Sequence, residues 1–226
     1  MPRLDFYFDV ISPFSYIAFE ALVGYESRLP AKINFKPAAI GPIFKSSAIK
    51  HNGIEGNSPP LLCPAKAKYV ANDLLMLSKY WNVPFRHPSN PMKRMLGANT
   101  SKIQKFLVAV KLNQPADLRA LMRGFWTRFF VEDKNIFDIE DIREVCAKLN
   151  ISNVDKLIQQ SEEQNIADKY RKYTNEAVES DAFGLPWMLL QNEGQKPKKF
   201  FGTDRLPILF NELGVKFDGP LNLSKL

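Results

Sequence analysis

The sequence has little of the residues on which metal and thiol chemistry usually rest. Among 226 residues there are two cysteines, Cys63 and Cys146, and two histidines, His51 and His87. The cysteines lie far apart and form no paired motif, which argues against a disulfide framework and fits a reducing compartment. Neither histidine has metal-ligand spacing with a cysteine or with the other histidine, so no metal is expected. No stretch approaches the roughly 20 apolar residues of a membrane helix, so no membrane span is expected. The opening Met1-Pro2-Arg3-Leu4-Asp5 lacks the apolar core of a secretory signal and the Arg/Ser-rich character of a mitochondrial one. What is present is ordinary for a globular chain: 45% hydrophobic and 24% charged residues, enough length for one core and a second, smaller layer. The net charge of +7 fits nucleic acid, an anionic surface or an acidic small substrate. Its tightest cluster, Lys196, Lys198 and Lys199, reads as a solvated hairpin face, which leaves nucleic acid a distant second.

Residues 3–10 alternate, with Leu4, Phe6 and Phe8 on one face and Asp5, Tyr7 and Asp9 on the other, and predict a strand. Ser12-Pro13 follows at once, an N-cap residue and a good first helical residue. Ile17, Ala18, Ala21, Leu22 and Tyr25 then mark an amphipathic helix. Residues 32–37 alternate again, so the opening reads as a βαβ unit. Residues from about 41 to 63 read as a Gly/Pro/Asn/Ser-rich loop. From 64 to 180 the periods are helical, with stripes through Val70, Leu74, Leu77 and Trp81, through Ile103, Phe106, Leu107 and Val110, through Leu118 to Phe129, and through Ile142 to Leu149. Strand character returns at 186–191 and at Lys198-Lys199-Phe200-Phe201, and a last helix carries Leu206, Leu209, Phe210 and Leu213. The fold class expected is α/β: residues 1–63 and 181–226 form one sheet domain, and 64–180 an inserted all-helical domain.

A strand that ends in a tight turn and feeds a helix presents free N–H groups and partial positive charge, a setting that favours an anion. Here the turn is Ser12-Pro13-Phe14-Ser15. A Cys-x-x-Cys at this place would exchange disulfides. Serine at both positions removes that chemistry. A serine hydroxyl can instead donate a hydrogen bond to a sulfur that arrives with a ligand; the bland alternative is that Ser12 only caps the helix. Phe183-Gly184-Leu185-Pro186 precedes a strand, where a cis proline would let the residue before it pair with an extended peptide and a trans proline would simply open the strand. Gly202-Thr203-Asp204-Arg205 precedes the last helix, which Thr203 and Asp204 could cap.

These segments together resemble the kappa-class glutathione transferases. The resemblance rests on Phe8-Asp9-Val10-Ile11-Ser12-Pro13-Phe14-Ser15, on Gly56-Asn57-Ser58-Pro59-Pro60 with Pro64-Ala65-Lys66, on Ala71-Asn72-Asp73-Leu74, on Ala182-Phe183-Gly184-Leu185-Pro186 and on Phe201-Gly202-Thr203-Asp204-Arg205. It implies a thioredoxin-like fold with a large helical insertion, a homodimer, and glutathione as co-substrate with no metal. It implies that Ser12 stabilises the glutathione thiolate and that Pro13 and Phe14 line the same turn. Leu185, before a cis Pro186, would pair with the cysteinyl part. Thr203 and Asp204 would bind the γ-glutamyl end, Asn57 would contact the tripeptide, and Lys66 would lie near the glycyl carboxylate. The family commonly has Ser where Thr203 stands, and a basic residue where Ala65 stands. The activity implied is conjugation of glutathione to a small hydrophobic electrophile, or reduction of a peroxide. Phe14, Trp81, Trp126 and Met92 are expected walls of the second-substrate pocket. Competing readings are a glutathione-dependent isomerase of the 2-hydroxychromene-2-carboxylate type and a non-catalytic glutathione-binding module.

The chain closes on Ser224-Lys225-Leu226, the form of a peroxisomal address read by an import receptor, so a peroxisomal location is expected.

Overall fold

The computed structural model describes residues 1–49 and 59–220. Asn57, with its neighbours Gly56 and Ser58, and the tripeptide Ser224-Lys225-Leu226 lie outside the described residues.

The strand expected first is β1 (Arg3–Phe8), and the second is β2 (Lys32–Pro37); they pair in parallel, joined by helix α1 (Pro13–Tyr25). The sheet order is β2-β1-β3-β4, with β3 (Trp187–Gln191) antiparallel to β1 and β4 (Lys198–Phe201) antiparallel to β3. The β3–β4 turn carries Gly194 at φ +70, which glycine adopts without a Cβ penalty. Lys198 and Lys199 are exposed on this hairpin, as expected, and pair with Glu212 and Asp181.

Between β2 and β3 the described chain is helical: α2 (Ile40–Ile49), α3 (Pro64–Trp81), α4 (Ser101–Asn113), α5 (Leu118–Phe130), α6 (Ile139–Lys148), α7 (Val154–Ser161) and α8 (Gln164–Glu179). Helix α9 (Leu206–Glu212) follows β4. No described helix is long and apolar enough to cross a membrane. Helix α2 corrects the loop expected over 41–63. Pro42 falls in its first turn, where a missing N–H forfeits no helical bond. Ile43 is fully buried beside Tyr7, Leu185 and Trp187, and that burial outweighs the weak local propensity of Gly41 and Pro42.

One hydrophobic core joins sheet and helices. Trp126 of α5 is fully buried against Phe8, Tyr16 and Phe19, with ring centres 5.1–5.5 Å apart. Helix α1 lies inside this core, buried almost all round rather than along one stripe. The other face of β1 is covered too. Lys36 Nζ reaches Asp5 at 3.1 Å and Glu176 of α8 at 2.6 Å, and donates to the Tyr7 hydroxyl at 3.0 Å. Buried charges are tolerated here because each is paired and hydrogen-bonded. Gln104 of α4, fully buried, donates from Nε2 to the carbonyls of Phe8 and Ala38, each at 2.9 Å. It thereby satisfies backbone acceptors where β1 and β2 leave the sheet.

Candidate active site

The Ser12 turn is built as its residues dictate. Asp9 to Ser12 closes with Ser12 N–H donating to the Asp9 carbonyl at 3.0 Å. Ser12 sits extended at φ −90, ψ 109, and its Oγ accepts from Ser15 N–H at 3.2 Å, an N-cap bond on α1. The cap is one half of its role. Its hydroxyl also donates to the Leu185 carbonyl at 3.0 Å, and the Leu185–Pro186 bond is cis. Both residues are nearly buried, yet both border a cavity of about 930 Å³.

Ser12, Pro13, Phe14, Lys66 and Leu185 all line that cavity. Lys66 stands exposed in the first turn of α3, so two helix N-termini, those of α1 and α3, border the same space. Pro186 is buried behind Leu185. Thr203 and Asp204 stand off the cavity wall. They form a 3-10 turn that starts at Gly202 (φ +81), and neither caps α9, whose N-cap is Arg205. The Thr203 hydroxyl is buried and donates to the Phe14 carbonyl at 3.4 Å, tying this turn to the Ser12 loop. Asp204 is exposed beside Arg205, at 3.8 Å. Burial first, and then Asp204, push the Asp73 carboxyl upward, which places α3 next to this turn. Trp81 and Trp126 are not pocket walls: both are packed in the core. Met92 is half exposed, and its neighbours Met95 and Leu96 line the cavity instead. Among the described residues neither cysteine lines it. Burial, and secondarily Asp117, push the Cys146 thiol up to about 12, so it stays protonated.

The sequence reading missed Asp9 as a site residue. Its carboxylate is fully buried at the cavity floor. It accepts from Ile40 N–H at 3.0 Å, Ile11 N–H at 3.3 Å and the Thr100 hydroxyl at 3.1 Å. Burial raises its pKa to about 6 against these hydrogen bonds, which pull it down. Tyr170 of α8 shares Thr100 and is also raised, by burial and then by Asp9. Asp9 was legible only as a member of the Phe8-to-Ser15 motif just after the first strand, with nothing there to assign its carboxylate a role.

The DSBA-like thioredoxin domain family model matches residues 3–214. Glutathione S-transferase kappa 2 of Caenorhabditis elegans is 34% identical over 223 residues, 98% of this chain and 96% of that protein. The chain belongs to the kappa-class glutathione transferase family. Glutathione S-transferase kappa 1 of Homo sapiens is 30% identical, over 98% of this chain and 95% of that protein. Among solved structures, a 2-hydroxychromene-2-carboxylate isomerase superposes with a TM-score of 0.74 at 20% identity, over 94% of each chain. That likeness speaks for the fold: the family's thioredoxin-like α/β arrangement with a helical insertion is the one described above.

Proposed function

We propose that this kappa-class chain is a glutathione transferase in which Ser12 stabilises the bound tripeptide's thiolate. The observation that carries this reading is the Ser12 hydroxyl, held at 3.0 Å from the Leu185 carbonyl beside a large cavity at a helix N-terminus. A hydroxyl has one donor, which rotates. When the cysteinyl N–H of glutathione pairs with the Leu185 carbonyl, that carbonyl is satisfied from elsewhere, and the Ser12 O–H turns to the sulfur. A free thiol has a pKa of about 8.5, and one charge-assisted hydrogen bond of about 1.5–3 kcal/mol depresses it by roughly one to two units at 1.36 kcal/mol each. The thiolate then attacks an electrophilic carbon held in the apolar part of the cavity, forming the C–S bond as that carbon's leaving group departs. With a peroxide it attacks oxygen, the O–O bond breaks, the alcohol leaves, and a second glutathione converts the resulting sulfenic acid to the disulfide and water.

In this reading Pro13 and Phe14 shape the turn, and Asn57 and Lys66 bind the tripeptide's backbone and glycyl carboxylate. Pro186 fixes Leu185, and Thr203 with Asp204 receives the γ-glutamyl end. The chain works as a homodimer, to be checked by sedimentation. Ser224-Lys225-Leu226 is proposed as a peroxisomal address: removal of Leu226 from a fluorescent fusion disperses it into the cytosol, and unchanged location refutes this.

The test of the central claim is an ultraviolet titration of the bound glutathione sulfur. Thiolate absorbance appearing at least one pH unit below that of free glutathione is expected; coincidence with the free tripeptide sinks the reading. Paired conjugation and chromene-carboxylate isomerisation assays separate it from the isomerase, and binding without turnover in either assay supports the non-catalytic module.

A further inference from the structure

The cavity wall supplied by residues 83–100 is an irregular strap. Its regular piece is one π-helical turn, Met92–Leu96. The strap contributes Phe85, Pro91, Met95 and Leu96 to the cavity lining and α3 contributes Val70 and Leu74; together they make up the cavity's apolar arm. A segment with so little internal hydrogen bonding takes its position from what it is tied to.

It is tied by Arg94, whose side chain is 13% exposed. The Arg94 guanidinium forms an ion pair with Asp133 in the turn after α5. It donates to the Lys134 carbonyl at 2.8 Å and to the Ser89 hydroxyl at 3.3 Å, and lies over the Phe129 ring at 4.7 Å. Asp133 also accepts from Ser89 N–H at 2.9 Å and sits 3.6 Å from Arg86, both on the strap. Arg94 therefore faces α5 while its neighbours Met95 and Leu96 face the cavity. A planar, multiply hydrogen-bonded guanidinium defines position as a point charge cannot.

We propose that the Arg94–Asp133 clasp is a positioning device that sets the reach of the cavity's apolar arm, and so selects second substrates by the length of the apolar chain they carry. The inference rests on the glutathione reading above. The substrate class it names is an electrophile with an extended apolar tail. Each methylene buried in a fixed apolar arm strengthens binding by about fourfold. An arm whose wall has come loose returns less of that gain.

The test uses S-methyl-, S-hexyl- and S-decylglutathione, with calorimetric affinities measured on the full chain. The wild-type protein is expected to bind more tightly as the tail lengthens. Arg94→Met and Asp133→Asn are expected to cut the gain from methyl to decyl by about tenfold or more, the worth of somewhat under two buried methylenes. Affinity for glutathione itself should not change, which a general structural defect would not allow. Leu96→Trp keeps the clasp and fills the arm; it should bind the methyl conjugate normally and lose the decyl one. An unchanged chain-length gain in the two clasp variants overturns the proposal. So does undiminished decyl affinity in Leu96→Trp, or a wild-type protein that binds glutathione without any dependence on tail length. A wild-type chain that fails to bind glutathione removes the glutathione reading first, and this one with it.

Discussion

Ser12 Oγ and the Leu185 carbonyl oxygen lie 3.0 Å apart although 173 positions separate the two residues in the chain. The bond joins the loop before α1 to the cis proline turn before β3.

Ser12→Ala removes the donor and leaves the cavity's shape. The bound sulfur's pKa should rise by about one unit or more, and turnover at neutral pH should fall with the thiolate fraction, by up to about tenfold per unit. Glutathione affinity should drop far less. Steady-state kinetics with a parallel ultraviolet titration measure both. Loss of affinity with unchanged turnover at saturating glutathione would show that Ser12 acts on binding alone.

Asp9 predicts a pH signature in stability. Its folded pKa, about 6, lies above the ordinary aspartate value of 3.8 because burial disfavours the carboxylate. Between these values the native state holds the proton that the unfolded chain releases. Stability therefore falls as pH rises from about 4 to about 6, by on the order of 3 kcal/mol from this group. Asp9→Asn should lack that slope. Urea unfolding of both proteins across this range decides it: parallel curves would mean that the carboxyl is not raised.

Lys66→Ala should weaken glutathione binding by about three- to fivefold at low ionic strength, the scale of one exposed charge pair. Added salt should close the difference between variant and wild type, because screening already removes most of what the lysine contributes. A difference that persists at high salt would indicate direct hydrogen bonding by the ammonium group.

Gln104→Leu keeps the volume of the side chain and removes two donated hydrogen bonds. The Phe8 carbonyl retains the Ala38 N–H at 2.9 Å, so the loss falls mainly on the Ala38 carbonyl. Destabilisation of about 1–3 kcal/mol is expected, the scale of one buried unsatisfied acceptor. Denaturant midpoints measure it, and a variant as stable as the wild type would assign the ties at the strand ends to other contacts.

Much of the architecture was legible because periodicity is local. Alternation over Arg3–Phe8 and Lys32–Pro37, and the stripes through Val70, Ile103, Leu118 and Ile142, each name a buried face without reference to any other segment. Helix α2 was not legible, because Gly41 and Pro42 argue against a helix until Ile43 has a core to enter. Thr203 read as a cap for α9 and proved to bind the Phe14 carbonyl. Trp81 and Trp126 lie on stripes that read as core and were also expected as pocket walls; their ring partners place both in the core.

The sequence alone determined the alternation of strands and helices, the serine that stands where a redox thiol would stand, and the ordered motifs that mark the kappa class, since all of these are properties of neighbours in the chain. Only the tertiary structure decided that Ser12 meets Leu185, that Asp9 loses its water and shares Thr100 with Tyr170, and that Arg94 fastens the strap at Asp133. These depend on which distant segments come into contact and on how much solvent they exclude, and a linear pattern carries neither.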